Sequence, residues 1–94
     1  MKKIFKYTLK HMDVQDLTLP AGADILSVAE QRNEIVLYAM VNPAHTATNT
    51  HKVWVYGTGH DIDETKVFGR RMPDFLGTVS LQGGALMYHV FAER

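Results

Sequence analysis

Apolar and polar residues alternate along most of this chain with a period of two, which is the pattern of half-buried β-strands. In the segment KIFKYTLK (3–10), single polar residues separate Phe5, Tyr7 and Leu9. The continuous apolar run IVLYAMV (35–41) instead indicates a strand that is covered on both faces. The whole pattern predicts about seven strands, at residues 3–10, 14–20, 24–31, 35–41, 51–57, 75–82 and 85–92.

Turn-forming residues separate these strands. The residues RNE (32–34) predict a tight hairpin in which Asn33 adopts a positive φ. The pair Gly83-Gly84 predicts a second hairpin between the last two strands. The small polar residues AHTATNT (44–50) predict a mobile loop.

The chain shows no sustained helical periodicity, so we expect no helix longer than about two turns. Residues 61–71 can hold one helical turn, with Asp61 as its N-cap and Glu64 three residues later. A length of 94 residues, 46% of them hydrophobic, predicts one globular domain over 1–94. The fold class expected is all-β, a small antiparallel β-sandwich or barrel.

Several of the strands carry large apolar residues on both faces. Trp54 and Tyr56 share one face of their strand, while Val53 and Val55 share the other. A single small sheet cannot bury both sets, so either further layers or a second copy must cover one of them. Because exposed apolar patches of this size usually mark interfaces, we expect a homo-oligomer, most simply a dimer.

Charge and composition narrow the range of partners. Ten basic residues balance ten acidic ones, so the chain has no broad basic surface for duplex nucleic acid or for an anionic membrane. The absence of cysteine excludes disulfides and thiolate zinc sites. The sequence shows no apolar signal-peptide core and no run of transmembrane length. We therefore expect a soluble, cytoplasmic protein.

The stretch VWVYGTGHDIDE (53–64) carries the strongest candidate chemistry, because a strand ends there in two glycines followed by a histidine. Glycines let a ligand approach the backbone closely, and side-chain and backbone donors flank them. The aromatic residues before the turn can stack on a nucleobase or fill a core. The predicted ligand-binding residues are Trp54, Tyr56, Gly57, Thr58, Gly59, His60, Arg70 and Arg71. The alternative is a purely structural turn with positive φ at Gly57 and Gly59.

Other groupings give weaker signals. The guanidiniums of Arg70 and Arg71 suit phosphate, although adjacent residues on an extended chain point apart. Residues 60–64 combine a histidine with three carboxylates, but their spacing does not converge on one metal ion, so we expect no metal site and no cofactor. His89 is expected to be a hydrogen-bonded sheet residue. The serines and threonines lie in no nucleophile motif, so we do not expect an enzyme.

Four segments together carry a resemblance to a known family: MKKIFKYTL at the start, LPAGADILSV, GTGH, and FLGTVSLQGGALMYHVFAE near the end. They resemble a family of small proteins of unknown function from bacteriophages and prophages. The resemblance covers almost the whole chain and implies a phage product acting in the cytoplasm of a bacterial host. It supplies no catalytic residue. The segment DIDETKVFGRRMPD (61–74) is longer than the family pattern, so no shared role is expected of it.

These observations favour a non-enzymatic binding protein of phage type. The most specific version of this hypothesis is a counter-defence protein that sequesters a small host nucleotide signal or blocks a host defence protein. The alternative is a structural or accessory protein of phage assembly, in which the two-sided strands are assembly surfaces. A metal-dependent hydrolase using residues 60–64 is the weakest hypothesis.

Overall fold

The computed structural model describes residues 1–11, 13–69 and 71–94. Their secondary structure is almost entirely β. The seven strands are β1 (Lys3–Leu9), β2 (Val14–Pro20), β3 (Asp24–Gln31), β4 (Glu34–Val41), β5 (Thr48–Gly57), β6 (Asp74–Leu81) and β7 (Leu86–Ala92). A single helical turn, α1 (Glu64–Val67), interrupts the connection from β5 to β6, and a 3₁₀ turn (Gln82–Gly84) precedes β7.

The strands form two antiparallel sheets that pack as a sandwich. One sheet has the order β1-β4-β3 and the other has the order β2-β5-β7-β6. The edge strands β3 and β6 pack against each other, which joins the two sheets along one side. The core between the sheets consists of Leu, Ile, Val and Ala side chains from all seven strands. The predicted all-β antiparallel fold is confirmed, and of the two architectures expected, the chain adopts the sandwich.

The secondary structure differs from the predicted elements by more than one residue at two places. The loop prediction for 44–50 is wrong in its second half, because β5 already begins at Thr48. There Thr48, Asn49 and Thr50 pair with the last three residues of β2, and this backbone pairing outweighs their low apolar content. The helical turn starts two residues later than predicted, with Asp63 rather than Asp61 as its N-cap.

The hairpin from β3 to β4 follows the sequence prediction. Asn33 has a φ of 63°, and Arg32 before it has a φ of 51°. Two successive positive φ values define the type I′ geometry that suits a two-residue hairpin. The Asn33 side chain also accepts a hydrogen bond from the backbone of Gln82 at 2.7 Å, so this turn is tied to the opposite sheet.

Both faces of β5 are buried within one chain. Val53 and Val55 lie in the core between the sheets, whereas Trp54 and Tyr56, each 4% exposed, lie on the outer face of their sheet. The connection between β5 and β6 crosses this outer face and covers it with Phe68. The two-sided apolar pattern of β5 therefore needs no second copy to explain it, and the homo-oligomer stays a prediction.

Within the described ranges, no helix has the length and apolar character needed to cross a membrane.

Candidate functional site

A cleft of about 780 Å³ opens beside the covered outer face of the four-stranded sheet. Residues 50–52 and 54 of β5 form one wall. Residues 66–69 and 71–73 of the β5–β6 connection form the second, together with Asp74 at the start of β6, and residues 92–94 form the third. Residues far apart in sequence meet here because β5 and β7 are hydrogen-bonded neighbours and the connection lies across them.

The charged lining of the cleft is predominantly cationic. Its described cations are Lys52, Lys66, Arg71 and Arg94, and its described anions are Asp74 and Glu93. The Arg94 guanidinium Nε lies 4.0 Å from Asp74 Oδ2, and both side chains are substantially exposed, so this ion pair contributes little. Neither the Lys52 ammonium nor the Arg71 guanidinium has a carboxylate within 4.0 Å among the described residues, although the Lys52 backbone N–H donates to the Glu93 carboxylate at 3.3 Å. The cleft therefore holds cationic groups available to an anion.

Two residues of the cleft wall carry a buried ring nitrogen that lacks a hydrogen-bond partner among the described residues. They are His51, at Nε2, and Trp54, at Nε1. His51 Nδ1–H donates to the backbone oxygen of Glu93 at 3.0 Å, which orients the imidazole. Burying a polar group without a partner costs about 1–3 kcal/mol. The two residues lie on opposite faces of β5, so their unpaired nitrogens are separate features, and the other described buried side-chain nitrogen and oxygen atoms are all paired.

An aromatic cluster lies beside the cleft, between the β5–β6 connection and the sheet. The Phe68 ring contacts Trp54 at a centroid distance of 5.4 Å, Tyr56 at 6.3 Å and Phe91 at 5.8 Å. The first two contacts are edge-to-face, a favourable geometry for aromatic pairs. Burial raises the pKa of the Tyr56 phenol, and the Asp13 carboxylate adds to this effect. Phe68 is half-buried, so one side of it remains at the surface.

The GTGH turn lies at the other end of β5, and its polar groups are used within the chain. The Gly57 N–H donates to His60 Nδ1 at 3.2 Å, and the His60 N–H donates to the Gly57 oxygen at 3.1 Å. The Thr58 hydroxyl lies 2.7 Å from His89 Nε2, and the Thr78 hydroxyl lies 2.9 Å from His89 Nδ1. The expectation that His89 is a hydrogen-bonded sheet residue is confirmed.

The two glycines of this turn serve different purposes. Gly59 has a φ of +87°, as the turn hypothesis required. Gly57 has no positive φ, so that part of the prediction is wrong. A Cβ at Gly57 would instead lie 2.8 Å from His60 Cε1, so a side chain at this position would displace the exposed imidazole that folds back over it.

A family model described as a domain of unknown function (DUF7352) matches residues 1–94. The chain belongs to this family. No curated protein matches the chain, and no solved structure matches it. The family description states no activity, ligand or source, so the chemistry of this DUF7352 domain has to be inferred from its own residues.

The structure places the sequence-predicted ligand residues of the DUF7352 domain in three locations. Trp54 and Arg71 line the cleft. Tyr56 lies beneath Phe68 in the aromatic cluster, and residues 57–60 form the turn at the far end of β5. Arg70 lies outside the described residues. The cleft and the GTGH turn are thus separate candidates rather than one site.

The residues of the DUF7352 cleft that sequence reasoning missed include Lys52, Lys66, Phe68 and Arg94. A signal was present for two of them. Lys52 precedes Trp54 by two positions and therefore shares its strand face. Phe68 is the single Phe, Tyr or Trp residue of the connection 58–73.

The acidic segment 61–64 of the DUF7352 domain does not converge on a point. The described residues contain no group of three histidine, cysteine or carboxylate side chains placed to hold a metal ion. The Asp63 carboxylate accepts a hydrogen bond from the Thr65 hydroxyl at 2.7 Å, and this bond, helped by the backbone N–H groups of Thr65 and Lys66, lowers the pKa of Asp63. Asp63 thus has a structural partner within α1.

Proposed function

We propose that this DUF7352 domain is a binding protein whose cleft takes a small anionic ligand with a planar ring, the chemistry of a nucleotide. The observation that carries the proposal is the cleft itself, a cationic depression of about 780 Å³ bordered by an aromatic cluster. This volume falls within the range of about 300–1,000 Å³ that is usual for small-molecule sites.

The charges favour an anion. Lys52 and Arg71 face no described carboxylate at ion-pair distance, so a phosphate does not have to displace an internal partner from them. A guanidinium can hold a phosphate through two parallel hydrogen bonds, and an ammonium adds a compact point charge. The anions Asp74 and Glu93 lie at the same rim and suit the hydroxyl or amino groups of a ligand.

The aromatic wall supports a planar ring. Phe68 is half-buried and borders the cleft, and Trp54 lies behind it. Stacking of a base on an aromatic side chain contributes about 1–3 kcal/mol. The buried Trp54 Nε1–H would also gain an acceptor if Phe68 moved aside for a ligand. Binding through these groups requires only a side-chain rearrangement at the surface of the sheet.

The lining supports binding rather than catalysis. His51 is its histidine, and the Nδ1–H of that ring is committed to the Glu93 carbonyl. The neighbouring hydroxyl of Thr50 belongs to the opposite face of the same strand, so the two do not form a nucleophile–base pair. A binding role needs only the charges and rings described above.

The resemblance to phage and prophage proteins supports the finer version of the proposal. In that setting the protein is a counter-defence product that sequesters a host nucleotide signal. The second candidate is an accessory protein of phage assembly or a binder of a host protein. Apolar side chains at the surface favour it, including Ile4 at 60%, Met72 at 58% and Phe75 at 53% exposed.

Fluorescence of Trp54 tests the proposal directly, because it is the single tryptophan of the chain and borders the cleft. Nucleoside monophosphates, nucleoside triphosphates and cyclic dinucleotides are titrated while its emission is followed. We expect saturable binding for at least one class, weakened about tenfold or more by Arg71→Ala or Lys52→Ala, since a charged hydrogen bond is worth about 1.5–3 kcal/mol.

Two control variants sharpen this experiment. Lys3→Ala removes a cation from β1, away from the cleft, and should leave the affinity unchanged. His60→Ala separates the two candidate sites: an unchanged affinity assigns binding to the cleft, whereas a loss assigns it to the GTGH turn. If no probe binds, or if Arg71→Ala and Lys52→Ala both bind as the parent does, the cleft is not a nucleotide site.

A further inference from the structure

Two strands of the sandwich have an open edge. In the described structure, β1 has a hydrogen-bonded neighbour only in β4, and β2 has one only in β5. The other two edge strands, β3 and β6, pack against each other. Strands β1 and β2 each contain seven residues, and an exposed edge of this length is a template for pairing with another chain.

The open edges carry opposite charges. Residues 1–10 contain Lys2, Lys3, Lys6 and Lys10 and no acidic residue, whereas residues 13–20 contain Asp13 and Asp16 and no basic residue. The chain as a whole has a formal net charge of +0. The two edges therefore differ in charge although the chain as a whole has no excess of either sign. It disfavours the pairing of two like edges and favours the pairing of β1 with β2 of another copy.

The core is also incompletely covered at these edges. Phe5 lies opposite Ala39, a fully buried core residue, and so belongs to the inner face of its sheet, yet it is 42% exposed. Leu17 on the inner face of β2 is half-buried against the same core. An inner-face phenylalanine with this exposure indicates that the chain alone does not close the sandwich on this side.

One antiparallel register of β1 against β2 of a second copy accounts for both the opposite edge charges and the exposed inner-face side chains. Inner-face residues must pair with inner-face residues when a sheet continues into another chain. Placing Phe5 opposite Leu17 of a second copy meets this condition, and it places Lys6 opposite Asp16 on the outer face. Lys6 already donates to Gln31, and two further ammonium hydrogens remain. Asp16 lies opposite Lys52 in its own sheet without an ion pair within 4.0 Å.

We propose that the chain forms a symmetric dimer in which β1 of each copy pairs antiparallel with β2 of the other. A two-fold axis along the strand direction brings the two pairs together at once, because β1 and β2 belong to opposite sheets. Both sheets then continue across the interface as seven-stranded sheets, and the two copies of Phe5 become covered. The interface is closed, so it does not propagate into fibres. The inference is independent of the ligand-binding proposal.

Charge reversal tests this arrangement. The mass in solution is measured by sedimentation across micromolar concentrations, and we expect twice the mass of one chain for the parent. Lys6→Glu and Asp16→Lys should each raise the dimer dissociation constant by about tenfold or more, because each places like charges opposite one another twice per dimer. The double variant should recover at least most of the parent affinity. This recovery also shows that the single variants had not simply lost their fold.

Asp61→Lys is the matched control, because it changes the net charge as Asp16→Lys does but at an exposed loop residue, and it should leave the dissociation constant unchanged. Several results would overturn the proposal: a monomer at every concentration, a dimer that neither single variant weakens, or a double variant no tighter than the single ones. A tighter dimer for Lys6→Glu would overturn it too, since that result means that two β1 edges meet.

Discussion

Phe68 is the side chain whose removal tests most directly how the outer face of the sheet is covered. Within the described part of the β5–β6 connection after the GTGH turn, the backbone hydrogen bonds stay inside the connection, from Lys66 and Val67 to Asp63 and from Phe68 to Glu64. The Phe68 ring, in contrast, contacts three aromatic side chains of β5 and β7. We therefore expect Phe68→Ala to release the connection from the sheet while the strand ladders persist.

The size of the effect can be estimated in two ways. A buried Phe→Ala change costs about 3–5 kcal/mol, and Phe68 is half-buried, which gives about 2 kcal/mol. Three aromatic pairs at about 0.5–1.5 kcal/mol each give about 1.5–4.5 kcal/mol, a range that includes this value. Because about 1.4 kcal/mol corresponds to a factor of ten, the equilibrium between covered and uncovered states should shift about 30-fold toward the uncovered state.

Quenching of Trp54 fluorescence by acrylamide measures this shift, because the indole is 4% exposed beneath Phe68. Phe68→Ala should increase the quenching constant and shift the emission to longer wavelength, while hydrogen exchange of the β5 and β7 amides stays slow. Phe75→Ala is the matched control, since Phe75 is 53% exposed and its ring packs against Phe91 rather than against Trp54. Quenching that is equal in the two variants would refute the role given to Phe68.

Three further outcomes follow from the turn and the helical segment. Gly57→Ala should displace the exposed His60 imidazole and break its hydrogen bond with the Gly57 N–H, so it should lower the melting temperature no further than His60→Ala does, as thermal unfolding can show. Gly59→Ala should lower the free energy of unfolding by about 1 kcal/mol, because an alanine is strained at a φ of +87°. No atom lies within 4 Å of the added Cβ, so steric overlap does not contribute. Thr65→Val should raise the pKa of Asp63 toward its ordinary value, which an NMR titration of the carboxyl detects. Since the folded-state pKa of Asp63 is lowered, its stabilising contribution is present above the ordinary pKa and is lost as the pH falls through the lowered one.

The sequence by itself determined the strands and most of their turns. Alternation of side chains is a local property of an extended chain, so it marks a strand wherever one face is buried. The positive φ at Asn33 was equally predictable, because a two-residue hairpin restricts which residues fit. Residues 48–50 were missed because they are polar, and only pairing with β2 makes them a strand.

The tertiary structure alone decided which strands are neighbours and how the candidate site is assembled. Strands β1 and β2 follow each other in sequence but belong to different sheets. The apolar pattern showed that Trp54 and Tyr56 needed cover, but not that Phe68 supplies it. Periodicity indicates whether a side chain is buried, but it does not indicate which residue buries it. The cleft beside Lys52 and Arg71 depends on contacts between distant segments, and those contacts arise only when the sheets and the connection pack together.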